Sequence, residues 1–558
     1  MDRWAGTARA VPLVLAFLLS TGCGALGIGS GTDSKSATPT ATGSASASES
    51  PTSTRAPTPT PTAPPVTSWG PTEAEWARAK RLVARMSLAE KAGQVIVAGF
   101  GGTSAPTSLV RRYHLGGVII MGYNVASADQ VRSVNRALQE EARGQGRGWP
   151  LAIGIDQEGG TVARIEEPLT EFPTYMTLGA SRDAALARKA ARASGDELRA
   201  LGFTMVFAPD ADVTDGPSDP TIGSRSAGSD PALVASIVNG SLRGYADAGI
   251  VAVPKHFPGH GSVPADSHVS LPVQRASLAE LAKRDLVPFA SAVKAGAPAV
   301  MVAHIDVRDV DPGTPSSVSG KVVKGLLRDR LGFEGAVVTD ALEMAGIADK
   351  YGSAEAGVRA LLAGADVLLM PVDVAATHAA VMRAVRSGRL PQARLDEAAA
   401  RSAALMLHQL AASNAPSMDV VGTASKLSET VSLRGLTVAS GPCAGRLVGQ
   451  QVQVVGGRES DQAGFTAAAR AAGLQVGTTG DVVRLLSRGS SSGSGDVVVA
   501  LDTPYGLGRS RAGTARIALY GRTPGAFRAL VEVLTGRARG GGYLPVEVKG
   551  LPPRAGCD

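Results

Sequence analysis

The sequence predicts an α/β fold, a (β/α)8 TIM-type barrel followed by a small α/β accessory domain, and three observations carry that prediction. Short runs rich in apolar and β-branched residues recur eight times: Val95-Ala98, Gly117-Met121, Leu151-Ile155, Thr204-Ala208, Val251-Pro254, Ala299-Ala303, Ala336-Thr339 and Asp366-Met370. Such runs suit strands that are buried on both faces. Helix-length segments separate most of them, as parallel strands require of their crossovers. Ionisable residues then cluster directly after the runs, at the end of a barrel where the loops converge. An open doubly wound sheet is the alternative that periodicity leaves standing.

Taken in chain order, the first element is a targeting segment. Arg3 and Arg9 precede an apolar stretch, Val11 to Leu19, that is too short to span a bilayer, so residues 1–22 read as an export signal. Ser20-Thr21-Gly22-Cys23 resembles a bacterial lipobox, in which a small residue precedes a cysteine that takes the lipid, although Ser20 stands where leucine is usual. Cys23 is the expected lipidation site and mature N-terminus; the alternative is an incidental cysteine in a plain signal peptide. The rest of residues 23–70 is dominated by Ser, Thr, Ala, Pro and Gly, too poor in apolar side chains to offset the entropy of ordering, and is expected to be a tether.

Folded structure is expected from Pro71, with helical spacing from Ala74 to Met86 and a capping box at Ser87-Leu88-Ala89-Glu90. The barrel domain spans residues 71–412 and closes with a helix from Leu395 to Ala412; residues 413–430 form a linker. Residues 431–558 make the accessory domain, with strand-like runs at Leu436-Ala439, Gln451-Val455, Asp496-Leu501 and Arg516-Tyr520, a helix from Pro524 to Leu534, and a flexible Gly/Ser-rich stretch from Arg488 to Gly495. Cys443 and Cys557 remain after processing of an exported chain, and a disulfide and two free thiols are both open. The 56 Lys and Arg against 49 Asp and Glu give a net charge of +7 spread along the chain. With no compact basic run interleaved with aromatics, a nucleic-acid partner is not expected.

The residues after the strand-like runs carry the chemistry: Asp156, Lys255 with His256, His304 with Asp306, and Asp340. Lys255-His256-Phe257-Pro258-Gly259-His260-Gly261, continuing to Asp266-Ser267-His268, holds three of the seven histidines. His256 and His260 stand four apart as zinc ligands on a helix do, but Pro258 and Gly259 oppose a helix there, so no metal and no cofactor is expected. Asp266 and His268 form an acid/base dyad if a turn brings them together, or are merely an exposed loop. Asp340 is placed equally well to be a nucleophile or a helix N-cap.

Together with Gly154-Ile155-Asp156-Gln157-Glu158-Gly159-Gly160, Arg164, Ile222-Gly223-Ser224-Arg225-Ser226 and Thr339-Asp340-Ala341-Leu342-Glu343-Met344, these segments resemble glycoside hydrolase family 3, in its β-N-acetylhexosaminidase branch, from about Pro71 to Ala412. The resemblance implies Asp340 as nucleophile, His268 as acid/base assisted by Asp266, and Asp156, Arg164, Arg225, Lys255 and His256 as the sugar-binding set. It implies a retaining outcome, with a carboxylate on one face of the sugar and a proton donor on the other. Ala341 after the nucleophile, where the β-glucosidase branch carries Trp, favours the hexosaminidase branch. Ala227 stands where many relatives carry an aromatic, a change expected to loosen the pocket wall. The expected partner is a carbohydrate, β-linked N-acetylglucosamine of peptidoglycan fragments, met by a monomer that touches the membrane only through its lipid. A phosphorylase using the same site, another β-glycosidase of the family, and a non-catalytic sugar-binding lipoprotein are the alternatives.

Overall fold

The computed structural model describes residues 66–412 and 414–557. The expected signal segment, Cys23 and the tether as far as residue 65 lie outside the described residues. Eight parallel strands form the barrel: β1 (Ile96–Ala98), β2 (Gly117–Ile120), β3 (Ala152–Ile155), β4 (Met205–Val206), β5 (Val251–Ala252), β6 (Ala299–Val302), β7 (Ala336–Thr339) and β8 (Leu368–Leu369). Six of them pair in the order β8-β1-β2-β3-β4-β5, and β6 pairs with β7. Bridges between Phe257 and Val302 and between Val338 and Val367 join these two sets into a closed ring. An open sheet is thereby set aside.

Each strand is four residues or fewer, as the apolar runs anticipated, and all are buried. The ring is filled from inside. A side chain at Gly154 would meet the Phe207 ring at 2.6 Å, so this strand position has to be glycine for Phe207 to lie across it. At the amino-terminal end of the barrel, the buried Asp366 carboxylate accepts from Val337 N–H at 2.9 Å and pairs with Arg328 and Arg394, each at 2.6 Å. This clamp ties β7 and β8 to the outer helices Lys321–Arg330, which is π-helical, and Gln392–Ala411.

Two boundaries differ from expectation. Trp69 falls in the stretch assigned to the tether, yet it is 3 % exposed and packs edge-on against Trp76, because a large aromatic gains more from burial than its backbone loses in ordering. The segment 413–430, expected to be a linker, contains a 3-10 turn at Met418–Val420 and the first half of the helix Ser425–Gly435, which is anchored where Ser428 Oγ donates to the Glu171 carbonyl at 2.5 Å.

The C-terminal domain is one six-stranded sheet: β9 (Thr437–Ser440), β10 (Gln451–Gly456), β11 (Gln475–Val476), β12 (Asp481–Leu486), β13 (Ser494–Ala500) and β14 (Arg511–Ala518), in the order β9-β14-β13-β12-β10-β11. Only the β9 pairing is antiparallel. The strands β11 and β12 were not singled out from the sequence. Cys443 and Cys557 form a disulfide with Cα atoms 5.6 Å apart. Arg488 to Gly495, expected to be flexible, is held: Arg488 Nη2 donates to the Pro220 carbonyl at 2.8 Å, and Ser510 Oγ accepts from Gly493 N–H at 3.0 Å. The domain packs on the barrel helix Tyr175–Ser181, whose Met176 and Ala180 lie in one buried cluster with Leu486, Val498, Tyr520 and Leu544.

Candidate active site

The loops that follow the eight strands converge on one face, where the chain gathers its buried charges. Asp156, just after β3, receives Lys255 Nζ at 2.6 Å on Oδ1 and Arg164 Nη2 at 3.3 Å on Oδ2. Lys255 Nζ also lies 2.7 Å from Glu158 Oε1. Glu158 in turn takes Arg225 in a two-pronged pair, Nε to Oε2 at 2.9 Å and Nη2 to Oε1 at 2.8 Å. Burial alone would raise the Glu158 carboxyl, but Arg225 and Lys255 hold it far below the usual carboxylate range. Burial likewise opposes the charges of Arg225 and Lys255, and their carboxylate partners keep both above their ordinary values. Four of the five expected sugar-binding residues thus form a single chain around Glu158, which stood in the sequence only as part of a motif.

His256, the fifth, hydrogen-bonds through Nδ1 to Asp212 Oδ2 at 2.7 Å, and its Nε2 faces Arg225 Nη2 at 3.3 Å. A carboxylate accepts and a guanidinium donates, so Nδ1 carries the proton and Nε2 accepts. Lys255 and His256 are fixed by backbone pairing, with Asp210 on one side and, through Phe257, with β6 on the other. Asp212 also accepts from His260 N–H at 2.5 Å. Beside it, Asp210 accepts from Asp212 N–H at 3.0 Å, while burial and then the Asp212 charge push its own carboxyl well above the usual range. Neither aspartate was singled out from the sequence, although Pro209-Asp210-Ala211-Asp212 directly follows the fourth strand run. Asp210, Asp212 and His256 offer ligand atoms within 4.8 Å of one another. A metal there would face Arg225, 3.7 Å from Asp210 and 3.3 Å from His256, so the set fits a cation poorly.

Asp340 ends β7. The next helix begins only at Ala345, so Asp340 is not its N-cap. Its Oδ1 accepts from Ala341 N–H at 2.8 Å. The same residue is gripped from the other side: His304 Nε2 donates to the Ala341 carbonyl at 3.0 Å, which leaves Nδ1 to accept from Ser317 Oγ at 2.7 Å. Burial raises the Asp340 carboxyl, but the His256 and His304 rings, the Ala341 N–H and the Lys255 ammonium outweigh it, and the group stays below its ordinary value. Asp340 therefore feels the sugar-binding cluster directly. Asp306, which also follows β6, points elsewhere: it accepts from Gly313 N–H at 2.7 Å and pairs with Arg308, which makes it a turn residue.

The Asp266-Ser267-His268 turn closes as a dyad. Asp266 Oδ1 accepts from both His268 N–H at 2.9 Å and His268 Nδ1 at 2.7 Å. The proton lies on Nδ1, and Nε2 is left to face outward from a ring that is 65 % exposed. Ser267 between them is buried and latches the loop. Its hydroxyl meets His260 Nε2 at 2.8 Å, and its carbonyl accepts from Gly346 N–H at 3.1 Å, six residues past Asp340. Ala227 does not line a pocket: it is fully buried, and its carbonyl would lie 1.7 Å from any side chain added at Gly179.

Residues 87–405 match the model for the glycosyl hydrolase family 3 N terminal domain. The chain is similar to beta-hexosaminidase LpqI of Mycobacterium tuberculosis, 36 % identical over 60 % of this chain and 87 % of that protein. It is also similar to beta-hexosaminidase A of Pseudoalteromonas piscicida, 37 % identical, but spans only 48 % of that relative's length. Among solved structures, a family 3 beta-N-acetylglucosaminidase from a Paenibacillus species superposes with a TM-score of 0.76 at 32 % identity, covering 83 % of this chain and 99 % of that one. An eight-stranded barrel with a half-buried aspartate directly after its seventh strand, in a chain matched over more than half its length by that family's model, belongs to glycosyl hydrolase family 3.

Proposed function

We propose that this chain is a retaining exo-β-N-acetylhexosaminidase that removes terminal N-acetylglucosamine from peptidoglycan fragments, held at the outer face of the membrane through a lipid on Cys23. The single observation that carries the chemistry is the latch at Ser267, which ties the Asp266–His268 dyad to the segment that bears Asp340. A carboxylate and an imidazole brought to one mouth suit double displacement.

The first step starts from the His268 imidazolium, protonated at Nε2 as well as Nδ1: an Asp340 oxygen bonds to the anomeric carbon as the glycosidic bond breaks, and Nε2 gives its proton to the departing oxygen, leaving the neutral Nδ1–H ring. In the second step His268 takes a proton from water, whose oxygen displaces Asp340 and restores the carboxylate. Asp266 holds Nδ1 throughout and stabilises the imidazolium that forms when the ring is doubly protonated. Asp156, Arg164, Lys255, Arg225 and His256 hold the sugar hydroxyls. The names of the hexosaminidase relatives support the sugar class; the export signal supports the cell-wall location.

Incubation with a 5-fluoro N-acetylglucosaminyl donor followed by peptide mass spectrometry is expected to find the sugar esterified to Asp340. An adduct on any other carboxylate would overturn the assignment. The p-nitrophenyl β-N-acetylglucosaminide should release nitrophenol with the wild type and not with Asp340→Ala. Release of N-acetylglucosamine from a purified disaccharide with N-acetylmuramic acid tests the peptidoglycan reading.

A further inference from the structure

Among the described residues, five large apolar side chains are strongly exposed: Val66, Tyr123, Val269, Val372 and Leu410. Three of the five stand on loops that leave the carboxyl ends of barrel strands: Tyr123 after β2, Val269 beside His268, and Val372 after β8. Tyr123 is the one aromatic of the group, 59 % exposed.

Its loop is unusually well fixed for one that carries an exposed ring. The neighbouring Asn124 is 1 % exposed. Its Oδ1 accepts from Met121 N–H at 2.9 Å, and its Nδ2 donates to the Phe100 and Gly102 carbonyls at 2.9 and 2.7 Å. Gln130 Nε2 adds bonds to the Thr103 carbonyl at 2.5 Å and the Asn124 carbonyl at 3.2 Å. The loops after β1 and β2 are thus sewn into one rigid rim. Tyr123 also stands within electrostatic reach of the site: burial, then the Glu343 carboxylate, raise its phenol, and Arg164 lowers it. Glu343 lies three residues past Asp340, and Arg164 is the partner of Asp156.

An exposed aromatic held at low entropic cost beside a sugar site is the usual form of a stacking platform, since the C–H face of a pyranose is apolar. We infer that Tyr123 forms the aglycone subsite, stacking on the pyranose that leaves, and so selects substrates whose aglycone is itself a sugar ring. This rests on the hexosaminidase reading above and adds to it which group lies on the leaving side.

The test compares kcat/KM for a β-1,4-linked N-acetylglucosamine disaccharide and for methyl β-N-acetylglucosaminide, whose aglycone offers no ring. Tyr123→Ala is expected to lose on the order of tenfold on the disaccharide, mainly through KM, and to stay within about twofold of wild type on the methyl glycoside. Inhibition by free N-acetylglucosamine should not change, and Tyr123→Phe should keep the disaccharide activity because the ring face is what acts. Equal losses on both substrates, an unchanged disaccharide KM in Tyr123→Ala, or a Tyr123→Phe as impaired as Tyr123→Ala would each overturn the inference while leaving the hexosaminidase reading intact. A wild type that cleaves neither substrate would overturn both.

Discussion

Glu158→Gln keeps the size of the side chain and removes the charge at the centre of the Asp156–Lys255–Arg225 chain. In the native site this carboxylate accepts both prongs of Arg225 and meets Lys255 at 2.7 Å, with its side chain only 1 % exposed. A glutamine retains one acceptor for these three contacts and turns two N–H groups toward a cation. Removing one partner of a buried ion pair costs roughly 3–5 kcal/mol, because the other charge is left without compensation. At about 2 °C per kcal/mol for a domain of this size, the melting temperature should fall by roughly 6–10 °C. The pH dependence has a definite sign. Since the folded-state pKa of Glu158 lies below the unfolded value, its contribution is complete above the ordinary carboxylate range and is lost only as pH falls through the folded value. The gap between variant and wild type should therefore be constant from about pH 8 to pH 6 and close only in stronger acid. Calorimetry across that range, with steady-state kinetics showing a rise in KM larger than the fall in kcat, is the assay. A variant with unchanged melting temperature and KM would refute the view that Glu158 anchors the sugar-binding arginine and lysine.

Asp266→Asn should slow cleavage of the disaccharide by roughly a hundredfold but affect the p-nitrophenyl glycoside much less, because a good leaving group needs little protonation; equal losses would remove the dyad from the mechanism. Asp285 is buried under Gly259 and accepts from Ser262 Oγ at 2.7 Å, and burial pushes its carboxyl up to about 6. The folded state thus favours the protonated form: the stability linked to this group is complete below about pH 4 and is lost as pH rises through about 6. Asp285→Asn should accordingly gain about 3 kcal/mol at pH 7.5 and nothing at pH 4, measured by denaturant titration at both. The disulfide joins residues 114 apart in sequence, so Cys443→Ser should lower the stability of the C-terminal domain by about 4–5 kcal/mol in the loop-entropy account, seen as an earlier unfolding transition that wild type reproduces under reductant.

The barrel was legible because each of its strands is a short apolar run whose neighbours on both sides are buried, a pattern that local sequence displays directly. The C-terminal sheet was read less fully. Asp481-Val482-Val483-Arg484-Leu485-Leu486 carries charge at both a terminal and an internal position, and Gln475-Val476 is too short to show a period. Residues whose chemistry faces a substrate stood out by position after a strand. Glu158, Asp210 and Asp212 act on other side chains, and a partner remote in sequence leaves no local trace: Arg225 is 67 residues from Glu158, and His256 is 44 from Asp212. The same positional rule over-reached at Asp306, where a strand-terminal aspartate serves a tight turn. Trp69 was lost in a low-complexity stretch because composition averages over the one side chain that folds.

The burial of Met176 and Ala180 beneath the C-terminal sheet has a bearing on how this protein can be handled and inherited. A cut near residue 412 would remove the sheet that covers them. It would strip an oily strip of helix bare and invite clumping during expression. Shuffling either half onto a foreign partner therefore requires copying the seam as well as the catalytic mouth.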